Sequence, residues 1–165
     1  MEYRLISRQD RAALRTFADR IDQRDRAFFD RLLLHDVAIE SWTAAVPARR
    51  IAAFEGDDIV GLVTVVPGVG WSSHVGELRA VVQPDQRGHG VGRQLVAQGI
   101  GLARELGLAK VTVEVMATNS GAAAMFDAMG FGTEARLVGQ VLDGEGQPRD
   151  LLVMSTWLGN EPTSG

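Results

Sequence analysis

One stretch limits what this chain can become: Val75 to Leu95, VGELRAVVQPDQRGHGVGRQL. Val75, Leu78, Val81 and Val82 give it the apolar, β-branched character of a strand. Pro84 and Asp85 stop that strand. Arg87-Gly88-His89-Gly90-Val91-Gly92 follows, and Arg93, Gln94 and Leu95 then favour a helix. A glycine-rich turn that opens a helix leaves several backbone N–H groups pointing one way, at the positive end of the helix dipole. That arrangement suits an anion, most often a phosphate.

The rest of the chain reads as one α/β domain over residues 1–158, with a tail over 159–165. Tyr3 to Ile6 is a short first strand. Ser7 with Asp10 three residues on marks a helix start, and Leu14, Phe17, Ala18 and Ile21 recur at helical spacing. A second amphipathic helix is expected between Asp22 and Asp36. Ile51–Phe54 and Ile59–Val66 flank Glu55-Gly56-Asp57-Asp58 as a hairpin. Gly92 to Leu106 forms a helix with Leu95, Gly99, Leu102 and Leu106 on one stripe. Gly99 and Gly101 each weaken it by ~1 kcal/mol relative to Ala. Lys110 to Ala117 is a strand with Val111, Val113 and Val115 on one face. Asn119 or Ser120 caps a short helix that Gly130 ends. Ala135–Leu142 and Leu151–Leu158 make a last strand pair.

Composition removes several function classes. The sequence contains no cysteine, so disulfides, thiolate metal sites and a cysteine nucleophile are excluded. A net charge of −4 argues against broad nucleic-acid binding, which needs a basic surface. No apolar run is long enough to span a bilayer and no signal peptide is evident, so a cytoplasmic protein without membrane contact is expected.

The ligand of the glycine turn is narrowed by what fails. A dinucleotide fingerprint, G-x-G-x-x-G, finds Arg93 where its third glycine belongs when counted from Gly88. A nucleotide P-loop needs Lys-Ser or Lys-Thr after its last glycine, and Gly92 is followed by Arg93-Gln94. The pattern Arg87-x-x-Gly90-x-Gly92 instead resembles the coenzyme A site of the GNAT superfamily of N-acetyltransferases. The later run Asn119 to Phe131, with Ala122, Met125, Phe126 and Gly130, is similar to that family's second motif. The two stand in the right order with a helix and a strand between them. The run from Val66 to Glu77 is similar to a bacterial subgroup of the family.

The resemblance implies a GNAT fold: a mixed, mostly antiparallel sheet of about seven strands flanked by about four helices. It implies acetyl-CoA as acyl donor, no metal, and an amine acceptor, either a small molecule or a protein lysine or N-terminus. A homodimer through the terminal strands is compatible with it. The backbone of Arg87, Gly88, His89, Gly90, Val91, Gly92 and Arg93 would hold the pyrophosphate, and the backbone of Val81 and Val82 would pair with the pantetheine arm. Asn119 would bond the cofactor or cap its helix. The family commonly has a tyrosine, which protonates the leaving thiolate, where this chain has Phe126; Phe126 could still pack on the pantetheine.

An amine that attacks a thioester must lose a proton. Glu77, ten residues before Arg87, is the first candidate for the base; its alternative is a salt bridge with Arg79 on the same strand face. His74 is the second, as an imidazole carries protons near neutral pH. Trp71, Ser72 and Ser73 are expected to line the acceptor pocket, with Trp71 alternatively a packing anchor. The rival function is a non-catalytic acyl-CoA-binding or sensing domain. A dinucleotide-dependent oxidoreductase is a more distant one.

Overall fold

The structure, a computed structural model, describes residues 1–22, 25 and 49–159. In chain order its elements are β1 (Glu2–Leu5), α1 (Arg11–Arg20), β2 (Arg49–Glu55), β3 (Asp58–Pro67), β4 (Val75–Val82), α2 (Val91–Glu105), β5 (Lys110–Met116), α3 (Ser120–Ala128), β6 (Gly132–Leu142) and β7 (Pro148–Trp157). The seven strands form one sheet in the order β1-β2-β3-β4-β5-β7-β6. The β4–β5 pairing is parallel, whereas β1–β2, β2–β3, β5–β7 and β6–β7 are antiparallel. This is the mixed, mostly antiparallel sheet that the resemblance implied. The second helix, expected between Asp22 and Asp36, falls largely outside the described residues, as does most of the terminal tail.

Two compact units make up the fold. The first comprises Met1–Val66 and Leu78–Leu102. Its hairpin turns at Glu55–Asp58, where Gly56 takes φ +62. Leu14, Phe17, Ala18 and Ile21 of the α1 region are buried in one cluster with Ala52, Phe54, Ile59, Leu62 and Val81. The opposite sheet face receives α2. There Gly99 lets the helix lie close: a Cβ on it would stand 2.8 Å from Leu78 Cδ1 and 2.9 Å from Val63 Cγ2. Covering both faces explains why β3 is apolar almost throughout, with Ile59 to Val65 buried.

The second unit comprises Pro67–Glu77 and Ala103–Gly165. β5 presents Val111, Val113 and Val115 to its core, and α3 contributes Phe126. Asn119 is the residue that caps α3, its Oδ1 accepting from the Ala122 amide at 3.2 Å. Gly130, at φ +89, ends the helix in the left-handed conformation expected of a C′ glycine. β6 begins at Gly132, earlier than its sequence pattern indicates. It is an edge strand exposed along nearly its whole length, so no alternation of burial marks its start.

Candidate active site

The glycine turn is built from its strand outward. At the end of β4 the Gln83 amide donates to Val60 O at 2.9 Å, and its buried side-chain amide donates to Ile59 O at 3.0 Å. Pro84–Gln86 then makes one 3₁₀ turn. The Arg87 amide donates to Pro84 O at 3.4 Å. Its guanidinium donates to Val82 O at 3.2 Å and to the Asp25 carboxylate. Arg87 thus ties the turn back to its own strand. Val81 is buried in the core, and the carbonyl of Val82 is the one that Arg87 holds.

Gly88 and Gly90 take φ +78 and φ +82, backbone that other residues adopt only with strain. Gly90 O accepts from the Gln94 amide at 3.0 Å, which is the first helical bond of α2. The amides of Val91, Gly92 and Arg93 precede it and have no partner within the helix. None of the amides from Gly88 to Arg93 donates to a described residue. The side chains of His89 and Arg93 are exposed beside them. Six unspent donors at the positive end of a four-turn helix fit a multiply charged oxyanion, and a pyrophosphate has that chemistry.

The loop before β4 is equally fixed. Gly68 N donates to Val75 O at 2.8 Å, Ser72 N to Val69 O at 3.2 Å and Ser73 N to Gly70 O at 3.1 Å. A Cβ on Gly68 would stand 2.3 Å from Ser72 O, so the turn closes only over a glycine. The turn holds Trp71 wholly in solvent, at 100% exposure, and Val69 at 86%. Trp71 is therefore no packing anchor. Ser72, Ser73 and His74 are exposed as well. The His74 ring stacks on Trp157 with centroids 6.4 Å apart, and its carbonyl accepts from the amides of Ala109 at 2.8 Å and Lys110 at 3.2 Å.

β4 enters its parallel ladder directly after His74, through Val75–Lys110, Gly76–Val111 and Glu77–Thr112. Glu77 is half-buried at the third pair, with Thr112 half-buried opposite. Behind them lies a polar cluster. Lys110 Nζ donates to Glu134 Oε1 at 2.5 Å and sits 5.3 Å from the Trp157 ring centre. Ser155 Oγ donates to the same Oε1 at 2.7 Å. The hydrogen bonds from Lys110 and Ser155 hold the Glu134 carboxyl below its ordinary value.

The structure thus gathers His74 to Glu77 on one segment and Gly88 to Arg93 on another. Phe126 has its ring buried, 6% exposed, edge-on to Phe131 at 5.2 Å. Thr112, Glu134 and Ser155 were missed in the sequence. Alternation offered one signal: with Val111 and Val113 facing the core, Thr112 must face the other way.

Known proteins share this architecture. The Salmonella typhimurium protein yncA, solved with its cofactor acetyl-CoA, superposes with a TM-score of 0.81 at 18% identity, covering 100% of this chain and 98% of that one. A ribosomal-protein-alanine N-acetyltransferase from Brucella melitensis gives a TM-score of 0.71 at 22% identity, over 95% of this chain and 99% of the other. At such identities the likeness is one of fold. In sequence, 68 residues are 46% identical to a mycothiol acetyltransferase of Kocuria rhizophila. That match takes in 41% of this chain and only 22% of the relative, so the chain spans about a fifth of that protein's length. Residues 13–131 match the model of the acetyltransferase (GNAT) family, and the chain belongs to that family.

Proposed function

We propose that the protein is an acetyl-CoA-dependent N-acetyltransferase that transfers the acetyl group to a primary amine by direct attack in a ternary complex. The observation that carries this reading is the set of free amides from Gly88 to Arg93 at the head of α2. They suit the pyrophosphate of coenzyme A, while the failed glycine and lysine positions disfavour nucleotides. The relatives named for mycothiol and for ribosomal-protein alanine support an amine acceptor, small or protein-borne. Residues 1–158 act as one catalytic domain in this reading. A cytoplasmic setting accords with the absence, among the described residues, of any helix long and apolar enough to cross a membrane.

The donor supplies an acetyl group activated as a thioester. Glu77 takes the proton that the attacking nitrogen loses, with His74 the alternate carrier. A main-chain N–H of β4 provides the hydrogen bond that growing charge on the carbonyl oxygen needs. The backbone of Val81 and Val82 guides the pantetheine arm, Asn119 holds the entry of α3, and Trp71, Ser72 and Ser73 meet the acceptor. Phe126 has no proton to give, so the sulfur either leaves as thiolate or takes its proton from Ser72, Ser73, His74 or a water. An ordinary thiol has a pKa near ~8.5, which makes that departure feasible without an acid.

The second reading, a non-catalytic acyl-CoA sensor, draws on Phe126 standing where the family commonly has a tyrosine. A panel of amines and peptides with thiol detection separates the two. Acceptor-dependent thiol release that falls about 10²–10⁴-fold in Glu77→Gln is the expected result. Stabilisation by acetyl-CoA with no turnover on any amine would favour the sensor.

A further inference from the structure

Sixteen residues of the sequence are arginine and one is lysine, Lys110. On the acyltransfer reading above, on which this inference rests, Lys110 is the one side-chain amine that the donor could acylate. A guanidinium keeps its protons, whereas a lysine ammonium can lose one and become a nucleophile. Lys110 pairs with Val75 across β4–β5, and Thr112 pairs with Glu77 two residues further along. Alternation puts Val75 and Glu77 on one sheet face, so Lys110 stands on the face that carries the proposed base. Two residues of parallel strand separate the two pairs by roughly 7 Å. The one lysine thus lies beside the step that consumes an amine.

Its amine is held elsewhere. The Lys110 side chain is 17% exposed, and its Nζ donates to Glu134 Oε1 at 2.5 Å. Nζ also stands 5.3 Å from the ring centre of Trp157, its direct partner across β5–β7. The His74 ring stacks on the same indole. Ser155 Oγ donates to the same Glu134 oxygen at 2.7 Å, a second tether on the carboxylate. Carboxylate and indole face both attract a cation. An ammonium so held is a donor only, with no lone pair to attack a carbonyl. We propose that Glu134 withholds the chain's own lysine from acyl transfer, which makes Lys110 a guarded self-acetylation site. Once released as the free amine, Lys110 would attack an acetyl thioester. The N–C bond forms, the C–S bond breaks with its electron pair on sulfur, and the proton of the amine passes to solvent. The acetylated side chain is uncharged, so the ion pair with Glu134 ends with the modification. Ser155 is a positioning residue that acts through Glu134.

The test is peptide mass spectrometry of Lys110 after the folded protein is incubated, without added amine, with one of two donors. These are acetyl-CoA and S-acetyl-N-acetylcysteamine, a small thioester that carries no phosphate and so reads the guard independently of the donor site. With either donor, Glu134→Gln should raise the rate of Lys110 acetylation about 10–100-fold over wild type. Wild type should be modified more slowly when folded than when unfolded in urea. Circular dichroism establishes that the variant is folded. Should Glu134→Gln not fold, Ser155→Ala removes only the second tether and should still raise the rate several-fold. Equal rates in wild type and Glu134→Gln, or in wild type and Ser155→Ala where that variant carries the test, overturn the guard while leaving the transferase reading intact. So does a folded wild type acetylated at Lys110 as fast as the unfolded chain. A wild type that neither gains stability from acetyl-CoA nor releases thiol with any amine overturns the transferase reading, and the small-thioester comparison still decides the guard.

Discussion

Asp10 shows how much one side chain does in this protein. It accepts from the Ser7 amide at 2.7 Å, from Ser7 Oγ at 2.9 Å, and from two nitrogens of Arg4 at 2.9 and 2.7 Å. The Arg4 hydrogen bond, followed by those from Ser7 and against the pull of burial, lowers its pKa from 3.8 to about 2. A depressed carboxylate stabilises the fold above its unfolded pKa and loses that contribution as pH falls through the folded value. Arg4 is partly in water, which discounts the pair. Asp10→Asn should therefore cost about 1–2 kcal/mol at pH 7, and denaturant midpoints of variant and wild type should converge near pH 2. The Ser7–Asp10 half of this arrangement was legible in the sequence, because a capping box has fixed local spacing. The Arg4 half was not, since nothing local shows that β1 delivers a guanidinium to the start of the next element. Thr112 is a similar case. A threonine in a valine-rich strand reads as ordinary β composition until the register sets it opposite Glu77.

At the scale of elements, α2 separates two glycines that propensity treats alike. Gly99 lies on the Leu95–Leu102 stripe and meets Leu78 and Val63, whereas a Cβ on Gly101 would find nothing within 4 Å. Gly101→Ala should stabilise the protein by about 0.5–1 kcal/mol, because only helix propensity changes. Gly99→Val should cost about 1–3 kcal/mol by overpacking a filled interface. Thermal unfolding of the two variants beside wild type checks both signs. The helical stripe was visible in the sequence, and so was the side of it on which Gly99 falls. The closeness of the sheet was not, because it depends on side chains of β3 and β4 distant along the chain. The hairpin and α3 were legible from their turn and capping residues. The start of β6 was hidden for the opposite reason, an edge strand carrying too little burial to imprint a pattern.

At the scale of the whole molecule, a ligand that binds only the folded state raises its stability by mass action. Acetyl-CoA at 100 times its dissociation constant would add about 2.7 kcal/mol. For a chain of this size that corresponds to a Tm rise of roughly 5–10 °C. NAD or NADP should produce none. Differential scanning fluorimetry with the three ligands checks it, and a shift by the dinucleotides alone would return the glycine turn to the oxidoreductase alternative. The family was legible because two motifs, Arg87–Gly92 and Asn119–Phe131, bind backbone geometry to a particular residue order. The acceptor leaves no such imprint, since pocket walls come from side chains of many segments. The fully solvated indole of Trp71, on a turn closed by the Gly68, Ser72 and Ser73 amides, has a practical consequence. An indole in water emits at long wavelength and is open to dissolved quenchers, whereas one covered by a bound molecule is not. The chain thus carries a built-in optical gauge beside the segment that supplies Glu77, able to report occupancy of that loop without any label.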